Sequence, residues 1–198
     1  LEISGYFVTD SPNYSFLEGF LSEGFGLLVG GFIEEIFFRA FLFYIIYEAL
    51  RTIIKEPRKR AIFMIIIISP LFGLAHWGNN GATIISTINL GIDAMMMCLP
   101  FLITGRLGMS IGIHFAWNLI QGSIFGFAMS GNIAKASVMS VNMPDNILTG
   151  GAFGPEGSVL LVLLDLIAIL LIVYWKKLKN YTNIVNPSII QHGAGLAK

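Results

Sequence analysis

Three ionisable residues lie in an apolar stretch near the start of the chain, in the sequence GGFIEEIFFRAFLF. Glu35 and Arg39 are four residues apart, so on a helix they would share a face, with the acid before the base. Glu34 would lie about 100° further round the helix, outside that pair. Because one Arg cannot neutralise two carboxylates at low dielectric, one carboxylate is left over and can serve as a general base. The alternative is a charge-neutralised structural cluster.

Two imidazoles and a carboxamide occur in later apolar stretches. His76 follows Phe72 by four residues and His114 precedes Asn118 by four, so each pair would share one helix face. Taken singly, such residues are typical of membrane interfaces or of hydrogen bonds between membrane helices. Together with the acid doublet and Arg39, they form a set that can bind a water molecule, a proton and a developing oxyanion.

Other hydrolase chemistries fit the sequence less well. The zinc motif HExxH is absent, although two acids and two imidazoles leave a di-metal site open. The sequence GMSIG at 108–112 matches the serine pattern GxSxG, with His114 one turn beyond Ser110. That pattern needs a preceding strand, and here it joins two apolar stretches, so a serine site with His76 as its base is a minor alternative.

Two aspartates also lie in apolar stretches, without the glycine-framed motif of an aspartyl protease. We expect Asp93 to line a pore or to pair with Asn89, and Asp165 to face the helix bundle, with no catalytic role for either. Charged residues inside a membrane mark functional sites. The acids and imidazoles could therefore also form a proton relay of a transporter, but the paired broken helices of that class are not visible.

Three motifs follow one another in the chain: Glu34-Glu35-x-x-x-Arg39, Phe72-x-x-x-His76 and His114-x-x-x-Asn118. In this order, each in an apolar stretch, they resemble the CAAX protease and bacteriocin-processing family (CPBP, or Abi) of intramembrane glutamic proteases. The sequence GGAFGPEG at 150–157, before a final hydrophobic segment, is similar to the C-terminal part of that family.

The resemblance implies an all-helical membrane enzyme that hydrolyses a peptide bond without a metal or another cofactor. By this likeness, Glu34 with His76 would position and deprotonate the attacking water. Glu35 and Arg39 would hold the site and the substrate.

By the same likeness, His114 with Asn118 would form the oxyanion hole. The expected substrates are membrane-associated peptides, prenylated proteins with a CAAX box, or peptides of bacteriocin maturation and self-immunity. Some members of the family are thought to be membrane regulators, so a non-catalytic protein that uses the same cavity is the alternative.

The composition is that of a membrane protein. Hydrophobic residues make up 55% of the 198 residues and charged residues only 12%, where soluble domains carry about 25%. Zero net charge and the lack of a basic stripe argue against a nucleic-acid partner. The expected environment is the lipid bilayer, and the expected location is the plasma membrane of a prokaryote.

Apolar blocks of about 20 residues predict an all-α polytopic protein with about five transmembrane helices around a polar cavity. The predicted helices are at 16–50, 61–77, 82–104, 110–129 and 158–175. They form one membrane domain, 1–179, which could lack N-terminal spans because the chain begins at Leu1, followed by a polar tail, 180–198. Gly26 with Gly30, and Gly122 with Gly126, have the small-xxx-small spacing of close helix contacts.

The cations predict an orientation. Nine of the twelve Lys and Arg residues fall in three segments that five spans would place on one side, which is then cytoplasmic. The segments are 51–60, 105–109 and 176–179. In this arrangement straight helices would leave His114 some 15 to 20 Å short of Glu34 and His76 along the membrane normal, at about 1.5 Å per residue. Tilted helices or a re-entrant stretch around a water-filled cavity would remove the mismatch.

Overall fold

The computed structural model describes residues 2–9 and 15–195, and most of them are helical. The α-helices are α1 (Phe16–Glu35), α2 (Phe43–Ala49), α3 (Pro57–Ala75), α4 (Ile84–Thr104), α5 (Gly108–Asn118), α6 (Leu161–Leu178) and α7 (Pro187–Gly195). The π-helical segments are Ile36–Leu42 and Leu119–Ile124, and the 3₁₀ turns are Leu50–Thr52, Gly151–Phe153 and Pro155–Gly157.

The first helical block begins at a capping box. The Ser15 hydroxyl oxygen accepts a hydrogen bond from the Glu18 amide, and the Glu18 carboxylate accepts one from the Ser15 amide. Helical geometry then continues from α1 through a π-helical segment into α2, which confirms the single block predicted at 16–50. The π-helical segment begins directly after Glu35. Such turns are rare in proteins and are frequent at functional sites.

Helices α3 and α4 pack closely at Gly73. A Cβ atom added to Gly73 would overlap the backbone carbonyl oxygen of Thr87 on α4. Gly26 and Gly30 have nothing within 4 Å of an added Cβ, so the predicted close helix contact at this pair is wrong. Small-residue spacing shows where a helix can be approached, but not which face meets a neighbour.

The main hydrophobic core lies between α2, α3, α4 and α7. It includes Val185 and Ile189, which fall in the segment predicted as a polar tail. The Asn186 side chain donates hydrogen bonds to the carbonyl oxygens of Ile103 and Thr104 at the end of α4. Since the last carbonyls of a helix have no intrahelical donor, α4 gains from this cap, and part of the tail packs on the bundle.

A two-stranded antiparallel sheet corrects the all-α prediction. Strand β1 (Glu2–Thr9) pairs with strand β2 (Ala136–Asn142), with Glu2 opposite Asn142 and Thr9 opposite Ala136. The pairing joins segments more than 100 residues apart, so periodicity within either segment could not indicate it. The prediction is correct for the helical majority and wrong for these two segments.

Among the described residues, α4 is the helix long and apolar enough to cross a membrane, judged by length and composition. It matches the span predicted at 82–104. For the span predicted at 110–129, helical geometry runs from α5 through the π-helical segment and ends at Ile124. The count of five spans stays a prediction.

Candidate active site

Glu35 is a fully buried carboxylate with two cationic or imidazole neighbours. Its Oε1 lies 3.1 Å from Nη1 of Arg39 and 2.9 Å from Nδ1 of His114 on α5. Arg39, in the π-helical segment, is also fully buried. Its Nη2 donates to the carbonyl oxygen of Ala94 at 3.3 Å, and its Cζ lies 4.9 Å from the centre of the Phe72 ring. The carboxylate is thus compensated by short contacts on one oxygen, as a buried charge requires.

The contact with Glu35 orients the His114 ring. Because a carboxylate only accepts hydrogen bonds, Nδ1 of His114 carries the proton in this contact. The other ring nitrogen, Nε2, lies 3.7 Å from Oε2 of Glu34. Glu34 is partly exposed, with 37% of its side chain accessible, whereas Glu35 is fully enclosed. The acid doublet therefore splits into an accessible carboxylate and an enclosed one.

His76 lies at the C-terminal cap of α3. Its Nδ1 is 2.9 Å from the carbonyl oxygen of Phe72, one turn earlier. A carbonyl oxygen only accepts, so Nδ1 donates and Nε2 of the neutral ring is left as an acceptor. The Phe72 ring contacts both imidazoles, with its centre 4.8 Å from that of His76 and 6.2 Å from that of His114. The aromatic ring is therefore a packing contact that the two imidazoles share.

A cavity of about 150 Å³ joins these groups. Its wall includes Glu34, His76, His114 and Asn118, while the contacts of Glu35 and Arg39 place that pair behind it. The structure thus brings the six predicted site residues into one cluster, with four of them in the cavity wall, and their catalytic roles stay predictions. The predicted depth mismatch does not occur, because His114 contacts both glutamates directly.

Asp93 also lies in the cavity wall, in agreement with the prediction that it lines a pore. Asp165 on α6 is also buried, in agreement with its predicted position facing the helix bundle. Asn89 does not pair with Asp93: its Nδ2 donates to the carbonyl oxygens of Glu156 and Ser158.

Glu156 is a cavity residue that we did not single out from the sequence. It is 4% exposed, and its Oε2 accepts hydrogen bonds from the Ser130 amide at 2.5 Å and the Ser130 hydroxyl at 2.7 Å. Its Oε1 accepts one from Nε1 of Trp117 at 3.3 Å. Burial raises the pKa of Glu156 above its usual value despite these donors. In the sequence it stands in a Gly- and Pro-rich loop, where an acid is normally solvated.

The serine alternative does not fit the structure. Ser110 is fully buried, and its hydroxyl donates to the carbonyl oxygen of Met97 at 2.9 Å, so it joins α5 to α4 instead of facing the cavity. His114, which would lie one turn beyond it, is held by Glu35. The di-metal alternative finds no support either: within residues 2–9 and 15–195, no group of three or more His, Cys, Asp or Glu side chains could hold a metal ion. Metal independence of the reaction stays a prediction.

Residues 20–120 match the family described as type II CAAX prenyl endopeptidase, Rce1-like. The chain belongs to this family. The matched range contains all three motifs, and the resemblance inferred from them is confirmed. No curated protein and no solved structure matches the chain.

Membership in the Rce1-like family has two consequences at the family level. The family is embedded in membranes, which accords with the apolar composition of this chain. Its general activity is that of an intramembrane protease of CAAX-type substrates.

Proposed function

We propose that this Rce1-like chain is a metal-independent intramembrane endopeptidase in which a glutamate-activated water hydrolyses a peptide bond. The observation that supports it is the single cavity walled by Glu34, His76, His114 and Asn118. The substrate in this proposal is a membrane-associated peptide or a CAAX-type prenylated protein, and peptides of bacteriocin maturation or immunity belong to the same class. The expected location is the plasma membrane of a prokaryote.

Glu34 and His76 are the proposed pair that activates water. Glu34 is the accessible carboxylate of the doublet, and Nε2 of His76 is the acceptor left by the bond from Nδ1 to Phe72. A water held between them can pass a proton to Glu34 as its oxygen attacks the carbonyl carbon of the peptide. When the C–N bond breaks, the same proton goes to the leaving amine. The products are a carboxylic acid and an amine, and Glu34 returns to its starting state.

His114 and Asn118 are the proposed oxyanion hole. In this proposal Nδ1 of His114 donates to Glu35, and Nε2 faces the oxyanion as its N–H donor. The Asn118 amide supplies a second donor from the same helix face. Removal of one such donor costs about 2.7 to 4 kcal/mol of transition-state stabilisation in other hydrolases. Glu35 with Arg39 would act by fixing the imidazole in place.

The decisive variant is Glu34→Gln, which keeps the shape of the side chain and removes the base. We expect it to fold and insert into membranes but to lose cleavage of candidate peptides, assayed in detergent or vesicles with and without a chelator. Glu23→Gln, on the same helix and outside the cavity wall, is the matched control and should cleave normally.

Cleavage retained by Glu34→Gln would contradict the assigned base. Loss of wild-type activity with the chelator would contradict metal independence and favour a di-metal site. If the wild-type protein cleaves no peptide and Glu34→Gln still supports the role of the protein in cells, the chain is instead a non-catalytic regulator that uses the same cavity.

A further inference from the structure

The carboxylate of Glu156 connects separate parts of the cavity wall. Through Oε1 it holds Trp117, the residue before Asn118 at the end of α5. Through Oε2 it holds the amide and hydroxyl of Ser130, in the loop that follows the second π-helical segment. One acceptor group therefore serves three donors from two segments of the chain.

Ser130 in turn reaches the segment that carries His76. Its carbonyl oxygen accepts a hydrogen bond from Nδ2 of Asn79 at 2.8 Å, and the Asn79 amide donates to the carbonyl oxygen of His76 at 3.1 Å. Ser130 has a φ of +46°, in the left-handed region that non-glycine residues seldom adopt. Such a conformation persists only where its surroundings hold it, and the two bonds from Ser130 to Glu156 supply that hold.

We propose that Glu156 is a positioning residue for the cleavage reaction, which orients Asn118 through Trp117 and His76 through Ser130 and Asn79. The proposal rests on the proposed function, because it assigns to these two residues their roles in the hydrolysis. Glu156 does not itself contact the reacting atoms. Its function is to fix the part of the cavity wall that Trp117 and Ser130 form.

The chemistry of the contacts requires a carboxylate and not its amide. Three N–H or O–H groups point at the two oxygens of Glu156, and an ionised carboxylate accepts all of them. A Gln side chain would present an NH₂ group to at least one of these donors, so at least one bond would be lost. Burial raises the pKa of Glu156, so a neutral amide would be cheaper to bury. Burying a carboxylate here therefore costs free energy that an amide would not cost. The need to position the cavity wall would explain why a carboxylate is present.

The test is Glu156→Gln, assayed for kcat and KM with the same peptides. Because misplaced catalytic groups slow the chemical step, we expect kcat to fall about 10- to 100-fold with KM changed little. Asp145→Asn makes the same chemical change at an exposed position of the same loop and should leave both constants unchanged. If Glu156→Gln fails to fold, Trp117→Phe decides, because it keeps the ring, removes one hydrogen bond and should lower kcat several-fold.

A spectroscopic signature separates positioning from general destabilisation. The chain has three Trp residues, and the indole N–H resonance of Trp117 is assigned by its loss in Trp117→Phe. In Glu156→Gln this resonance should shift, and the kcat effects of Glu156→Gln and Trp117→Phe should be less than additive in the double variant. Wild-type kcat in Glu156→Gln, or additive effects with an unmoved resonance, would overturn the positioning role. Full activity in Glu34→Gln would overturn the proposed function instead.

Discussion

At the scale of single residues, Glu35 is the acceptor on which two neighbouring side chains depend. It balances the fully buried guanidinium of Arg39 and fixes the ring of His114. Removing one member of a buried ion pair leaves the other charge without compensation, whereas removing both is often nearly neutral. Stability and catalysis can therefore be separated at this pair, because only catalysis needs the imidazole in place.

We expect Glu35→Leu to destabilise the folded protein by about 3 to 5 kcal/mol, because Arg39 becomes a buried unpaired cation. The double variant Glu35→Leu with Arg39→Leu should recover most of that stability. It should stay inactive, since His114 has lost its acceptor. Unfolding in mild detergent measures the stability and peptide cleavage measures the activity. A double variant as unstable as the sum of the two single variants would contradict the coupling.

The site residues differ in how far the sequence could predict them. Glu34, Glu35 and Arg39 were recognisable because charge is rare in an apolar helix, and the two later motifs because their spacing is helical. Glu156 gave no such signal, because an acid in a polar loop is ordinary. What distinguishes it is its contacts with Trp117 and Ser130, which are 39 and 26 residues away in the chain.

At the scale of elements, the helices were predictable and their local geometry was not. Blocks of apolar residues located α3, α4 and α6 to within a few residues. The π-helical segments beside Glu35 and Asn118 depend on how neighbouring helices pack, and no periodicity marks them. Packing also decides which glycines touch a neighbouring helix and which do not.

The packing of α3 on α4 leads to a prediction at Gly73. We expect Gly73→Ala to destabilise the fold by about 1 to 3 kcal/mol, because the added methyl group would overlap the Thr87 carbonyl. Gly30→Ala is the matched control in α1, where an added Cβ has open space and alanine favours the helix by about 1 kcal/mol. Thermal unfolding in detergent compares the two. Equal unfolding temperatures for both variants would contradict the assigned contact.

At the scale of the whole molecule, long-range pairings close the fold at both ends of the described chain. Strand β1 is held by β2, and the segment around α7 is held by the core and by the end of α4. Neither pairing could be predicted, because each joins segments far apart in sequence and neither segment is strongly apolar. Hydropathy located the apolar helices and gave no indication of what packs between or beside them.

The C-terminal segment offers a test of this closure. Ile189 is fully buried and Ile184 is 57% exposed, in the same segment. We expect Ile189→Ala to destabilise the fold by about 2 to 5 kcal/mol, and Ile184→Ala to change stability by less than about 0.5 kcal/mol. Unfolding curves of both variants in one detergent provide the comparison. If the two substitutions cost the same, the segment does not pack on the bundle in solution.

The pairing of β1 with β2 has a practical consequence for anyone who attaches a reporter to this protein. Strand β2 begins four residues after Asn132, which lines the cavity, so β1 is linked by its ladder to the rim of that space. An affinity tag or fluorophore attached next to Glu2 would lie on the strand that is linked to this rim. It would disturb the rim and slow the entry of peptides. A fusion after α7 would instead attach to the segment that Asn186 anchors at the end of α4.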